Sequence, residues 1–449
     1  MTVNPADAPV FGAVYGSDAM RAILSERASL AAMLAFEAAL ARAEARLGII
    51  PAGAAAAIAA AADPDRLDLP VLARATAAMG FPTVGLVKQL SALAGAEAGR
   101  WTHWGATTQD VLDTALVLQL REAVALLATD LDRLVAALAA LARAHRGTVM
   151  AGRTHAQQAL PITFGYKVAL WLDPVLTMRE RLAQLRPRLL KLQFGGAVGT
   201  LASLGADGPR VAAELARELD LALPAIAWHV ARDSIAELGC WCGMLGGTLA
   251  KPATDILLLM QSEVAEAAEP AAPGKGGSST MPQKRNPIGC EYVIAQARGA
   301  QALVPQLLNA MVHEHERGAG PMQLEQLALG QVLLLTHGAL ATLLPIAEGL
   351  EVDAARMRRN LDDGGGLIMS EAVMMGLAPR LGRGVAHEVV HHAVQAALAG
   401  GIHLRDALAR DGRVTAALDG DAIARLTDPA GYLGAAGEFC DAVLARAGL

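Results

Sequence analysis

Apolar positions recur every three or four residues along most of the 449-residue chain, the spacing of one helix face. Met20, Ile23, Leu24, Leu30, Leu34 and Leu40 form such a stripe, and Gly48 with Pro51 closes it, so a helix is predicted over 18–48. Five later stretches are longer. One covers 108–146, with Thr107 as N-cap and Asp110 in the first turn, and would be on the order of 57 Å long. The next covers 161–190, with Pro161 in its first turn and a kink at Pro174. The others are 233–269 with a kink at Pro252, 287–316 from Pro287, and 321–349 from Pro321. Several are apolar around most of their circumference, which places them deep inside a large helical assembly. The alanine run at 54–62 reads as one more helix. Gly364-Gly365-Gly366 and Gly400-Gly401 divide the C-terminal part into short helices. Period-two alternation is scarce. The pattern predicts an all-α protein: an N-terminal helical domain over 1–107, a central five-helix bundle over 108–350, and a C-terminal helical domain over 351–449.

Composition narrows the class. The chain is 53% hydrophobic but only 3% aromatic, with a mean hydropathy of +0.35. That excludes a disordered chain, and four cysteines are too few for a disulfide-stapled scaffold. Free, buried thiols in a reducing cytoplasm are expected. The most apolar windows are interrupted: 235–260 by Glu237, Lys251 and Asp255, and 322–348 by Gln323, Glu325, Gln326, Gln331 and His337. No basic segment followed by an apolar core stands between Met1 and Ser17. No membrane partner and a cytoplasmic location are therefore expected, with the excess apolar surface buried between helices and between subunits. A net charge of −6 and a pI near 6.0 lack the basic face that nucleic acid requires.

Three polar clusters stand out at the ends of the long helices. They are Trp101-Thr102-His103-Trp104-Gly105-Ala106-Thr107-Thr108-Gln109-Asp110, Gly152-Arg153-Thr154-His155-Ala156-Gln157-Gln158, and the run from Gly274 to Pro287. Free backbone N–H groups at helix starts favour anions. In the third cluster, glycines 274, 276 and 277 permit a mobile loop, two serines follow, and Lys284 with Asn286 lies close by. A serine beside a lysine and amide donors can act as a base, and a closing loop excludes water. By composition alone the same stretch also reads as a hydrophilic surface loop.

The run Gly277-Ser278-Ser279-Thr280-Met281-Pro282-Gln283-Lys284-Arg285-Asn286-Pro287 resembles the signature of the fumarase/aspartase superfamily, and the other two clusters resemble its remaining active-site regions in the same order. The resemblance spans the chain. It implies an all-α homotetramer with a twenty-helix core, active sites shared between subunits, a small polycarboxylate substrate, and neither cofactor nor metal. By position, Ser278 on the loop 274–287 matches the general base that removes a proton next to a carboxylate. His155 matches the general acid or its orienting partner. Lys284 and Asn286 match residues stabilising the aci-carboxylate dianion. His103, Thr107, Thr108, Thr154, Gln157, Ser279 and Met281 match substrate-binding positions. A carbon acid this weak needs several donors aimed at the developing charge.

Within the superfamily, Phe36-Glu37-Ala38-Ala39-Leu40-Ala41-Arg42-Ala43-Glu44, Leu192-Gln193-Phe194-Gly195-Gly196-Ala197 and Glu314-His315-Glu316-Arg317 resemble the bacterial 3-carboxy-cis,cis-muconate cycloisomerases. That implies reversible lactone formation in the protocatechuate branch of aromatic catabolism. Gln283 and Met322-Gln323-Leu324-Glu325 depart from the common pattern, and they keep a second expectation open: elimination of an amine, ammonia or nitrite from a succinate-type acid. Adenylosuccinate lyases match less well, because Val14-Tyr15 replaces an Arg-Tyr pair and no histidine stands between Gly80 and Lys88. Arg232, Arg285, Arg298 and Arg317 are candidate carboxylate partners that sequence does not rank. His387-Glu388-Val389-Val390-His391 fits the H-E-x-x-H zinc pattern, but no third ligand is specified and a solvated helix face is the expected reading.

Overall fold

All five long apolar stretches fold as helices: α1 Thr108–Ala144, α2 Phe164–Leu189, α3 Asp233–Leu259, α4 Ile288–Asn309 and α5 Pro321–Glu348. The structure is a computed structural model that describes residues 4–271, 276–277 and 280–448. Helix makes up 70% of it and strand 5%, so the protein is all-α as the periodicity predicts.

The differences from expectation are local and have local causes. The stretch 18–48 is two helices, Asp18–Ile23 and Glu26–Arg46. Ser17 and Ser25 each accept a hydrogen bond from the amide three residues on, so the second hydroxyl starts a new helix where a continuous one was predicted. Pro161 does not open α2. It lies in a hairpin formed by β1 Val149–Thr154 and β2 Gln157–Thr163, opposite Ala151 and beside a register shift, where a strand tolerates a missing N–H. The helix predicted over 233–269 stops at Leu259. The chain then turns through Ala265, at φ 52°, into β3 Ala267–Ala268, which pairs with β4 Glu351–Val352. The helix predicted to 316 ends at Asn309, and His315 and Gly320 beyond it have positive φ.

Two compact units emerge: residues 1–130, 178–247 and 295–341 form the first, and 131–177, 248–294 and 342–449 the second. Their boundaries fall inside the five long helices, so each helix supplies residues to both. In the first unit Trp241 is buried and donates its indole N–H to the Met178 carbonyl at 3.0 Å. In the second, buried Trp171 packs edge-on against Phe164 and donates to Asp255 at 2.7 Å. The second unit also holds a separate apolar core of short C-terminal helices, built on Leu377, Val389, Leu404, Leu408 and Val414.

Helix α5 is by length and composition able to cross a membrane, but 67% of its most apolar window is buried inside the protein. Its hydrophobicity is accounted for by that packing. Cys242, Cys290 and Cys440 are buried, Cys240 is half-buried, and none forms a disulfide.

Candidate active site

In the first unit, the start of α1 is organised by Asp110. Its fully buried carboxylate accepts hydrogen bonds from the Thr107 amide at 3.0 Å, the Gly195 and Gly196 amides at 2.9 Å each, and Gln193 at 3.3 Å. His229 Nε2 lies 2.8 Å away on the same carboxylate. The bond to Thr107 is half of a capping box. The others fasten the 193–196 loop and His229 to the same helix end, where half-buried Thr107 and Thr108 sit.

One turn further on, Asp113 and Glu325 hold Arg232, which is 1% exposed, at 2.8 and 3.0 Å, and the guanidinium lies 4.8 Å over the Trp228 ring. Burial opposes its charge, but Asp113 and Glu325 more than offset this and hold Arg232 above its ordinary range. His103 adopts φ 63° and places Nδ1 2.6 Å from Oε1 of buried Glu37. Burial would lower the His103 pKa, yet Glu37 first and Asp110 next raise it. Exposed Arg317 reaches the Thr107 hydroxyl at 3.4 Å and donates to the Ala197 carbonyl at 3.1 Å.

In the second unit, Thr154, His155 and Gln157 form the exposed tip of the β1–β2 hairpin. His155 and Ala156 are its two loop residues, both at positive φ, 52° and 60°. This is the backbone of a type I′ turn, which ordinarily demands Asn or Gly. The stem is fixed by Arg153, which makes two hydrogen bonds, at 2.8 and 2.6 Å, to fully buried Glu266, and Asn360 donates to the same carboxylate at 2.7 Å.

The described part of the third cluster forms a tight loop. Asn286 N donates to the Gly276 carbonyl at 2.8 Å, Gly277 bridges Arg285, and Lys284 N closes a turn on Met281 at 3.0 Å. Gly276 has φ 64°, and a Cβ there would lie 2.7 Å from the Asn286 oxygen, so only glycine fits. Arg285 is spent on Glu351, at 2.8 and 3.0 Å, and holds that carboxyl below the usual range. Met281, Lys284 and Asn286 line a cavity of about 1010 Å³ with Leu257, Met260 and Val352. Ser278 and Ser279 lie outside the described residues.

Residues 14–301 match the family described as Lyase, and residues 366–443 match Adenylosuccinate lyase C-terminus. A 3-carboxy-cis,cis-muconate cycloisomerase of Bradyrhizobium diazoefficiens is 48% identical, over 98% of this chain and 99% of its own. The chain belongs to the fumarase/aspartase superfamily. The crystal structure of a 3-carboxy-cis,cis-muconate lactonizing enzyme from Pseudomonas putida superposes with a TM-score of 0.95, at 47% identity, over 98% of this chain and 99% of that one. A nitrosuccinate lyase of Streptomyces davaonensis is 43% identical, over 97% of this chain and 94% of its own.

For a member of this superfamily, the structure ranks the four arginines. Arg232 and Arg285 are consumed by acidic partners, Arg298 is exposed on α4, and Arg317 touches a residue of the first cluster. Sequence reasoning missed Glu37, the multiple role of Asp110, and Glu266. The three-residue offset from Thr107 to Asp110 was a legible signal; the partners of Glu37 and Glu266 lie far along the chain and were not. His229 is a buried histidine held on Asp110. His337 is buried between Ser17 at 2.7 Å and Asp130 at 3.0 Å, and His403 caps the helix Leu404–Leu408. His387, Glu388 and His391 lie on an exposed helix face where Glu388 pairs with Arg413 at 3.3 Å. No group of three or more metal-ligating side chains occurs among the described residues.

Proposed function

We propose that the protein is a 3-carboxy-cis,cis-muconate cycloisomerase. The observation that carries this is end-to-end similarity to an enzyme of that name at 48% identity, with the motif residues in place. In the lactonising direction a carboxylate oxygen of the substrate adds to one carbon of a double bond, and a proton is delivered to the neighbouring carbon. The reverse removes a proton next to a carboxylate and expels the internal carboxylate. Ser278, with His155, handles that proton. Lys284 and Asn286 stabilise the doubly charged aci-carboxylate, since fixed donors are worth most where charge develops. His103, Thr107, Thr108, Thr154, Gln157, Ser279 and Met281 bind the rest of the polycarboxylate, and Arg317 joins them.

The working unit is a homotetramer whose active sites draw on several subunits, in the cytoplasm. Support comes from the wide apolar faces of the long helices and from the placement of the three clusters on separate elements. The test is incubation with 3-carboxy-cis,cis-muconate while the diene absorbance is followed, with loss of absorbance expected. A second reading, elimination of a leaving group from a succinate-type acid, is favoured by the 43% identity to a nitrosuccinate lyase. A steady diene signal together with turnover of nitrosuccinate would establish that reading instead.

A further inference from the structure

We propose that Glu37 is a positioning residue for the reaction: its buried carboxylate accepts a hydrogen bond from Nδ1–H of His103 and fixes the imidazolium ring so that Nε2–H is the donor offered to a substrate carboxylate. The inference rests on the assignment of His103 to substrate binding. Glu37 lies mid-way along the helix Glu26–Arg46 and is 1% exposed. Its Oε1 meets His103 Nδ1 at 2.6 Å, and its Oε2 is buried with no hydrogen-bond partner among the described residues. A carboxylate so placed needs a cation beside it, and His103 is the group that meets it. The His103 backbone sits in the left-handed region, φ 63°, so the ring is presented from an enforced conformation.

The charged groups acting on this ring come from two elements. Glu37 comes from the helix Glu26–Arg46, and Asp110 comes from α1. Asp110 is already occupied by backbone amides and His229, which leaves Glu37 as the direct partner of His103. Glu37 then does for His103 what a carboxylate does for a catalytic histidine: it orients the ring and favours the doubly protonated form, in which Nε2 also carries a proton. The Nε2–H so presented is a charge-assisted donor, stronger than a neutral imidazole would be.

The experiment compares Glu37→Gln, His103→Gln and the double variant in full-length protein, with KM and kcat measured from pH 6 to 8.5. Glu37→Gln should raise KM roughly tenfold at pH 8, with kcat within about twofold, because a binding contact is weakened rather than a transition-state one. The KM difference should shrink towards pH 6, where His103 is protonated without help, so the high-pH fall of kcat/KM moves to lower pH. The double variant should match His103→Gln, since Glu37 acts through that ring. If Glu37→Gln alone does not assemble, the double variant, neutral on both sides, carries the comparison. A wild-type KM in His103→Gln overturns the underlying assignment of His103. A raised KM in His103→Gln, with Glu37→Gln unchanged or impaired equally at every pH, overturns the positioning role alone.

Discussion

Glu44 is a fully buried carboxyl, and its replacement by glutamine gives a quantitative test. It follows Glu37 by two helical turns, is 0% exposed, and has no hydrogen-bond partner for either oxygen among the described residues. Burial, and then the nearby Glu37 charge, push its carboxyl from 4.5 up to about 8. A raised carboxyl pKa means that the folded protein keeps a proton the unfolded chain releases. Stability contributed at this position is therefore greatest below pH 4.5 and declines as pH rises towards 8. At ~1.36 kcal/mol per unit, the cost is about 3 kcal/mol at pH 7 and below about 1 kcal/mol at pH 5. Glutamine has the same shape and cannot ionise, and its own burial cost does not vary with pH. Between pH 5 and 7.5 the variant should gain about 3 kcal/mol on the wild type. With an unfolding entropy of about 2.1 cal/mol/K per residue over this chain, the gain is an upward Tm shift of roughly 3 °C. Calorimetry of both proteins at the two pH values and one ionic strength reads it directly. A Tm difference that is the same at pH 5 and pH 7.5 refutes the reasoning, since Glu44 would then exchange no extra proton on folding.

Four further outcomes are expected. Ser278→Ala should lower kcat by several orders of magnitude with the circular dichroism spectrum unchanged, and near-normal turnover would remove Ser278 from the mechanism. Arg317→Gln should raise KM by about tenfold or more while Tm stays within about 1 °C, because the guanidinium is exposed and meets no acidic partner among the described residues. Asp110→Ala should destabilise the protein by about 3–5 kcal/mol, seen as a large fall in Tm, because it strands the buried Gly195 and Gly196 amides, the half-buried Thr107 amide and His229 at once. Dilution below the dissociation constant of the assembly should abolish activity before helicity is lost, as measured by light scattering beside the rate assay.

The five long helices were legible because their apolar positions repeat at the helical period over many turns, and burial in protein is the simplest outlet for that much apolar surface. Their ends were less legible. The predicted 287–316 helix overran the true end at Asn309, since nothing in the composition of Val312 to Arg317 forbids a further turn. The β1–β2 hairpin was missed because His155 and Ala156 occupy a turn that sequence rules reserve for Asn or Gly. Of the candidate site, the residue types in the three clusters were visible, because polar side chains are conspicuous in so apolar a chain.

The sequence by itself determined the all-α class, the long apolar helices and the residue types of the three polar clusters. These are local properties: periodicity, capping and composition are written within a few turns of chain. Only the tertiary structure decided which charges are spent and which remain available. Arg232 and Arg285 look equivalent to Arg317 along the chain, but the first two are bound to Asp113, Glu325 and Glu351. The partnership of Glu37 with His103 and that of Glu266 with Arg153 bridge 66 and 113 residues. Electrostatic pairing depends on distance in space, and sequence separation on that scale does not encode it.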